Sequence, residues 1–157
     1  MNKAVKITAT VDMKWRDLKA VVLNVDNRTK ISDITEEAKL LEDQNAEQWD
    51  VLYTRLAAPS RFVSARDFVV GRRWAEFSEL GIDGEGVLVA MKSVDHPKAP
   101  TANSNNAVRG EFIMQAILLK KVDDNKTDIV ILNQVELNGM IPSFVQNYFM
   151  STVPSEM

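Results

Sequence analysis

The stretch "RDFVVGRRW", residues 66–74, decides how this chain is read. Its β-branched and aromatic residues predict a strand, in which successive side chains point to opposite faces. Phe68, Val70, Arg72 and Trp74 then share one face, while Asp67, Gly71 and Arg73 lie on the other, which suits water better. Arg72 therefore sits in an apolar row. An unpaired buried guanidinium is costly, so this side chain must meet a carboxylate, a water cluster or an anionic ligand.

Working outward, further segments of strand character flank this one: "EAKLLED", "QWDVLYTRLA", "GVLVAMKSV", "VRGEFIMQAILLKKV" and "KTDIVILNQVEL". Polar turns such as "DDNK" and "GIDGEG" separate them, so consecutive segments are expected to pair antiparallel as a curling meander. Ahead of them, "AVKITATV" alternates as another strand, with Asp12 placed to cap a helix over "MKWRDLKAVVLNV". In that helix Trp15, Leu18, Val21, Val22 and Val25 recur at spacings of three and four, and "VDNRTKISD" reads as a short helical turn or loop. At the far end Pro142 suits a first helical turn, with Ile141, Phe144, Val145, Tyr148 and Phe149 as its apolar stripe. The order predicts an α+β fold in one domain over 1–157.

Composition narrows the function. The 157 residues are 45% hydrophobic and 26% charged, an ordinary balance for one soluble domain. A net charge of −3, with no stripe of Lys and Arg interleaved with aromatics, argues against nucleic acid. Zero cysteines exclude disulfides, zinc-thiolate sites and thiol nucleophiles, and neither metal nor other cofactor is expected. No apolar run is long enough for a signal peptide or a bilayer span, so the expected location is cytoplasmic, with peripheral membrane contact.

Four motifs in order resemble a START domain, the lipid-transfer module related to steroidogenic acute regulatory protein: "SARDFVVGRRW", "SVDHPKAP", "VRGE" and "LNGMIP". The similarity runs from about Ile7 to Tyr148, and the chain reads as a START domain shortened at both ends. The resemblance implies a helix-grip fold of the birch-pollen-allergen-like superfamily. In it a curved antiparallel sheet wraps around a C-terminal helix and encloses a hydrophobic tunnel for one lipid, a phospholipid or sterol. An abbreviated closing helix predicts fast ligand exchange or pairing with a second copy of the chain.

Strand parity then supplies candidate ligand contacts: Trp49 and Tyr53 with Val51, then Val70, Arg72 and Trp74 with Phe68, then Val89 and Met91 with Val87, and Met114 with Phe112. The same rows fit an ordinary filled core, which periodicity does not distinguish from a lined cavity. Gln134 and Asn133 offer hydrogen bonds to a ligand hydroxyl, and Phe144 and Tyr148 would cap the sheet from the closing helix. By the resemblance, Arg72 meets the polar headgroup, and its planar fork suits phosphate; Glu136 is the alternative, structural partner. Tyr53 falls roughly where sterol-binding members place an acid. Arg66, Arg109 and Glu111 read as cross-strand structural charges, and the lone His96 as a turn or surface residue. The loop "LAAPSRFVSA", residues 56–65, reads as a surface loop or, by the resemblance, as a membrane-touching rim with Phe62 and Val63 exposed beside Arg61.

The expected function is uptake of one lipid and its carriage between membranes, without chemistry on the ligand. Two other readings stay open: a small-molecule enzyme or ligand sensor on the same fold, and an interaction module whose tunnel is filled by side chains.

Overall fold

The computed structural model of the chain describes residues 3–143. Eight strands form one sheet: β1 (Val5–Val11), β2 (Thr35–Gln44), β3 (Trp49–Leu56), β4 (Ala65–Glu76), β5 (Gly86–Ser93), β6 (Ala107–Arg109), β7 (Glu111–Asp123) and β8 (Lys126–Glu136). The order across the sheet is β1-β8-β7-β5-β4-β3-β2, every neighbouring pair being antiparallel, while short β6 adds in parallel to the start of β4. The meander from β2 to β8 thus follows the chain, and β1 returns to the free edge of β8. This α+β arrangement is the expected one. Register shifts in β2 and β7 bend their strands, as extra residues on one side of a ladder do.

Helix α1 (Trp15–Leu23) and the short α2 (Asn27–Ile31) cross one face of the sheet, and α3 (Phe77–Leu80) follows β4. Asp12 does not cap α1. Lys14 stands at the N-cap without a side-chain bond, and two residues separate Asp12 from the helix. The helix ends at Leu23 rather than Val25, with Val21 and Val22 only half-buried; Trp15 and Leu18 are buried where α1 meets β5, β7 and β8, and Val25 is buried just beyond its end. These three buried residues join Leu52, Leu56, Phe68, Val70 and Ile131, among others, in the main core.

The segment read as one strand over 108–122 is divided at Gly110, which separates β6 from β7. A Cβ there would stand 2.3 Å from the Phe68 ring. Only glycine allows this approach, which leaves Phe68 stacked on Phe112 with centroids 4.8 Å apart.

The other face of the sheet carries a smaller cluster of Leu41, Val51, Tyr53 and Val69, with Trp49 and Ala99 packed on it. The apolar residues of β3 therefore divide between two faces, which is where strand parity misleads. Asp50, Leu52, Thr54 and Leu56 face the helices, whereas Trp49, Val51 and Tyr53 face away.

Candidate functional site

Arg72 is buried and fully engaged with protein. Its Nε donates to Asp50 Oδ1 at 2.8 Å and its Nη2 to Asp50 Oδ2 at 2.6 Å, a bidentate pair across adjacent strands. Nη2 also donates to the Leu23 carbonyl at 2.9 Å and Nη1 to that of Val22 at 3.4 Å. These are last-turn carbonyls of α1, left without intrahelical donors by helix geometry. Arg72 thus ties β3 to the C-terminus of α1, and its guanidinium lies 6.0 Å from the centre of the Trp74 ring. Its partner is neither Glu136 nor the position of Tyr53 but Asp50, which the parity adopted for β3 had turned away.

Beside this pair lies a cavity of about 60 Å³ between the sheet and α2. Leu56, Phe68, Val70 and Phe112 form its apolar wall, and Arg28, Thr54 and Gln115 bring polar groups into it. Among the described residues Arg28 Nε, Thr54 Oγ1 and Gln115 Nε2 are buried with no hydrogen-bond partner, as are both polar atoms of the neighbouring Asn133. Gln115 and Asn133 face each other across β7 and β8. Orphaned polar atoms are rare in native interiors because each costs about 1–3 kcal/mol. The gathering of Arg28, Thr54 and Gln115 at one cavity marks it as the candidate site.

Of the expected contacts, Val70 lines this cavity, with Phe68 and Phe112 beside it. Arg72, Trp74, Val89 and Met91 are buried on the same sheet face, in the core or its ion pair. Trp49, Tyr53, Met114 and Gln134 lie on the opposite face. Met114 is displaced by the register shift after Phe112, which inverts the parity of the rest of β7: Met114 is 44% exposed and Gln115 1%. Gln134 pairs in register with Met114 and shares its side, so only Asn133 of the two amides points inward. Phe144, Tyr148 and the closing helix lie outside the described residues.

On that outer face the Tyr53 hydroxyl donates to Asp67 Oδ2 at 3.0 Å, and Arg109 donates to both oxygens of Asp67 at 2.7 and 3.2 Å. Arg109 also holds the Pro100 carbonyl at 2.7 Å, fastening the polar loop before β6. Burial, then the hydrogen bond to Asp67, push the Tyr53 phenol up to about 12. Because the folded-state value is raised, its contribution to stability is complete below pH 10 and lost as pH rises through 12. In a Tyr148→Phe variant, where Tyr53 is the remaining tyrosine, absorbance at 295 nm is expected to rise with a midpoint near pH 12. A midpoint near 10 would mean the phenol is open to water.

Arg66 finds carbonyls rather than the carboxylate expected of it: Leu137 at 2.7 Å, Asn138 at 2.9 Å and Ser64 at 2.6 Å. Glu111 is exposed at the start of β7. His96 holds its loop to β2 through Glu42 at 2.9 Å, a structural role as read. In the 56–65 loop Phe62 is 82% exposed with Arg61 stacked 4.7 Å over its ring, but Val63 is buried in the core.

Residues 2–156 match the START domain family. Among solved structures, human STARD10 superposes with a TM-score of 0.77 at 24% identity, over 96% of this chain and 58% of that one. Human StAR-related lipid transfer protein 5 gives 0.78 at 19%, over 98% and 69%. The Zhui aromatase/cyclase of Streptomyces sp. R1128 gives 0.66 at 13%, over 99% and 87%. Likeness at these identities is likeness of fold, and the fold hosts both lipid transfer and ring-forming catalysis. This chain spans little more than half the length of the STARD10 structure. Among curated proteins none matches significantly.

Proposed function

Because this chain belongs to the START domain family, we propose that it binds one lipid between its sheet and helices and passes it between membranes. The observation carrying this reading is the composition of the cavity. An apolar wall of Leu56, Phe68, Val70 and Phe112 ends in unpartnered Thr54 and Gln115 groups, the layout an amphiphile needs for chain and head. A volume of about 60 Å³ accommodates a head group but not a chain, since ligand pockets usually run to about 300–1,000 Å³. Uptake therefore requires wall side chains to part. Arg72, already held by Asp50 and α1, serves in this reading to fix the wall rather than to bind the head.

Phe62 supplies the membrane contact, an exposed aromatic ring beside a cation at a loop tip. No described helix is long and apolar enough to cross a membrane. The reading is thus of a carrier that works from the aqueous phase, in the cytoplasm, and touches bilayers transiently.

Transfer of fluorescent lipids between donor and acceptor vesicles tests it. The protein is expected to accelerate transfer of at least one class among phospholipids, sterols and fatty acids. Phe62→Asp is expected to slow that transfer about tenfold, the worth of one buried aromatic, with lipid affinity unchanged. No acceleration for any class would overturn the reading.

A further inference from the structure

Among the described residues, the buried charges around the cavity do not balance. Arg28 and Arg72 both feel the single carboxylate of Asp50, and Asp50 is bonded through both its oxygens to Arg72. Among the described residues Arg28 makes no ion pair. Among those residues its Nε has no partner, and the hydrogen-bonding contact of its side chain is a weak Nη2 approach of 3.9 Å to Met91 Sδ. Burial first, then repulsion from Arg72, lower its pKa to about 10, so at neutral pH it still carries its proton. One positive charge thus stands uncompensated against the cavity, next to the orphaned Oγ1 of Thr54 and Nε2 of Gln115.

We propose that Arg28 is the head-group residue of this site and that the ligand is a monoanionic amphiphile, an acyl chain ending in a carboxylate. The assignment rests on the lipid-binding reading above and adds the charge of the ligand to it. A carboxylate accepts several hydrogen bonds and donates none, matching an Arg Nε, an amide nitrogen and a hydroxyl that all have donors to give. Its single negative charge neutralises the cluster of two guanidiniums and one carboxylate. It is also small enough for a space of about 60 Å³, whereas a phosphodiester with its glycerol is not.

Oleate and oleyl alcohol share a chain and differ at the head, so their dissociation constants, measured by displacement of a fluorescent probe, isolate the charge. Wild-type protein is expected to bind oleate about ten- to a hundredfold more tightly than the alcohol, the span of a charge-assisted hydrogen bond. Arg28→Met keeps the bulk and removes the charge; it is expected to bring the two affinities within about twofold, chiefly by weakening oleate. Equal wild-type affinities, or a preference that survives in the variant, would overturn the assignment of Arg28 while leaving lipid binding intact. Binding of neither ligand would overturn the carboxylate assignment, and the vesicle assay above then decides separately whether lipid binding itself stands. If Arg28→Met does not fold, the wild-type comparison alone decides.

Discussion

Asp50→Ala is expected to destabilise the protein by about 3–5 kcal/mol, the cost of leaving one member of a buried ion pair without the other. Asp50 and Arg72 are 4% and 2% exposed, so water cannot replace the lost carboxylate. The loss reaches beyond the pair, because the guanidinium is held in place to bond the Leu23 and Val22 carbonyls at the end of α1. It also leaves Arg28 and Arg72 facing each other without the carboxylate that both feel. In thermal unfolding this is a fall on the order of 10 °C for a domain of this size. Joint replacement, Asp50→Leu with Arg72→Met, is expected to recover much of the loss, since a buried pair removed whole is often nearly neutral. If Asp50→Ala alone shifts the midpoint by less than a degree or two, Arg72 is not held as described and returns as a candidate head-group residue.

Arg66→Met is the second large effect, expected at about 2–4 kcal/mol from the loss of hydrogen bonds made by a charged, buried donor. The side chain is 1% exposed and gathers the carbonyls of Ser64, Leu137 and Asn138. It thereby joins the start of β4 to the chain leaving β8. Asn138 and Gly139 follow with φ of 54° and 74°, a left-handed pair that turns the chain tightly beneath the guanidinium. A Cβ on Gly139 would meet Arg66 Nη2 at 3.2 Å, so the glycine and the arginine are fitted to each other. Hydrogen exchange should show the effect locally: amides of Leu137–Gly139 lose protection in the variant while those of β5 keep theirs. Uniform loss across the sheet would mean that Arg66 holds the whole fold rather than this turn.

The alternation of β4 led correctly to an inward Arg72, but its other face does not simply meet water: Asp67 is 1% exposed there, bonded to Tyr53 and Arg109. Strand β3 offers no clear contrast between its faces. Trp49, Val51 and Tyr53 are as apolar as Leu52 and Leu56, because Leu41, Val69 and Ala99 cover the outer face as well. With both faces apolar, a period of two cannot say which one meets the helices, and Asp50 and Thr54 went unnoticed with the wrong choice. In β7 the register shift after Phe112 inverts the alternation, concealing Gln115 and exposing Met114. Arg28 carried no signal at all, being one of two cations in a short, mostly polar helix. Its burial is created by packing α2 beneath the sheet, a tertiary fact that local spacing does not contain. The family motifs, by contrast, include residues that the fold needs for steric and hydrogen-bonding reasons: Gly110 against Phe68, Gly139 against Arg66, Arg72 at the end of α1.

The central claim is that the polar-tipped cavity beside α2 receives a lipid. Native mass spectrometry of the full chain incubated with a panel of fatty acids, phospholipids and sterols tests it most directly. A one-to-one adduct with at least one class is predicted, diminished when Phe68 or Val70 in the wall is exchanged for a polar residue of similar size in a variant that still folds. An unliganded mass across the whole panel would contradict it.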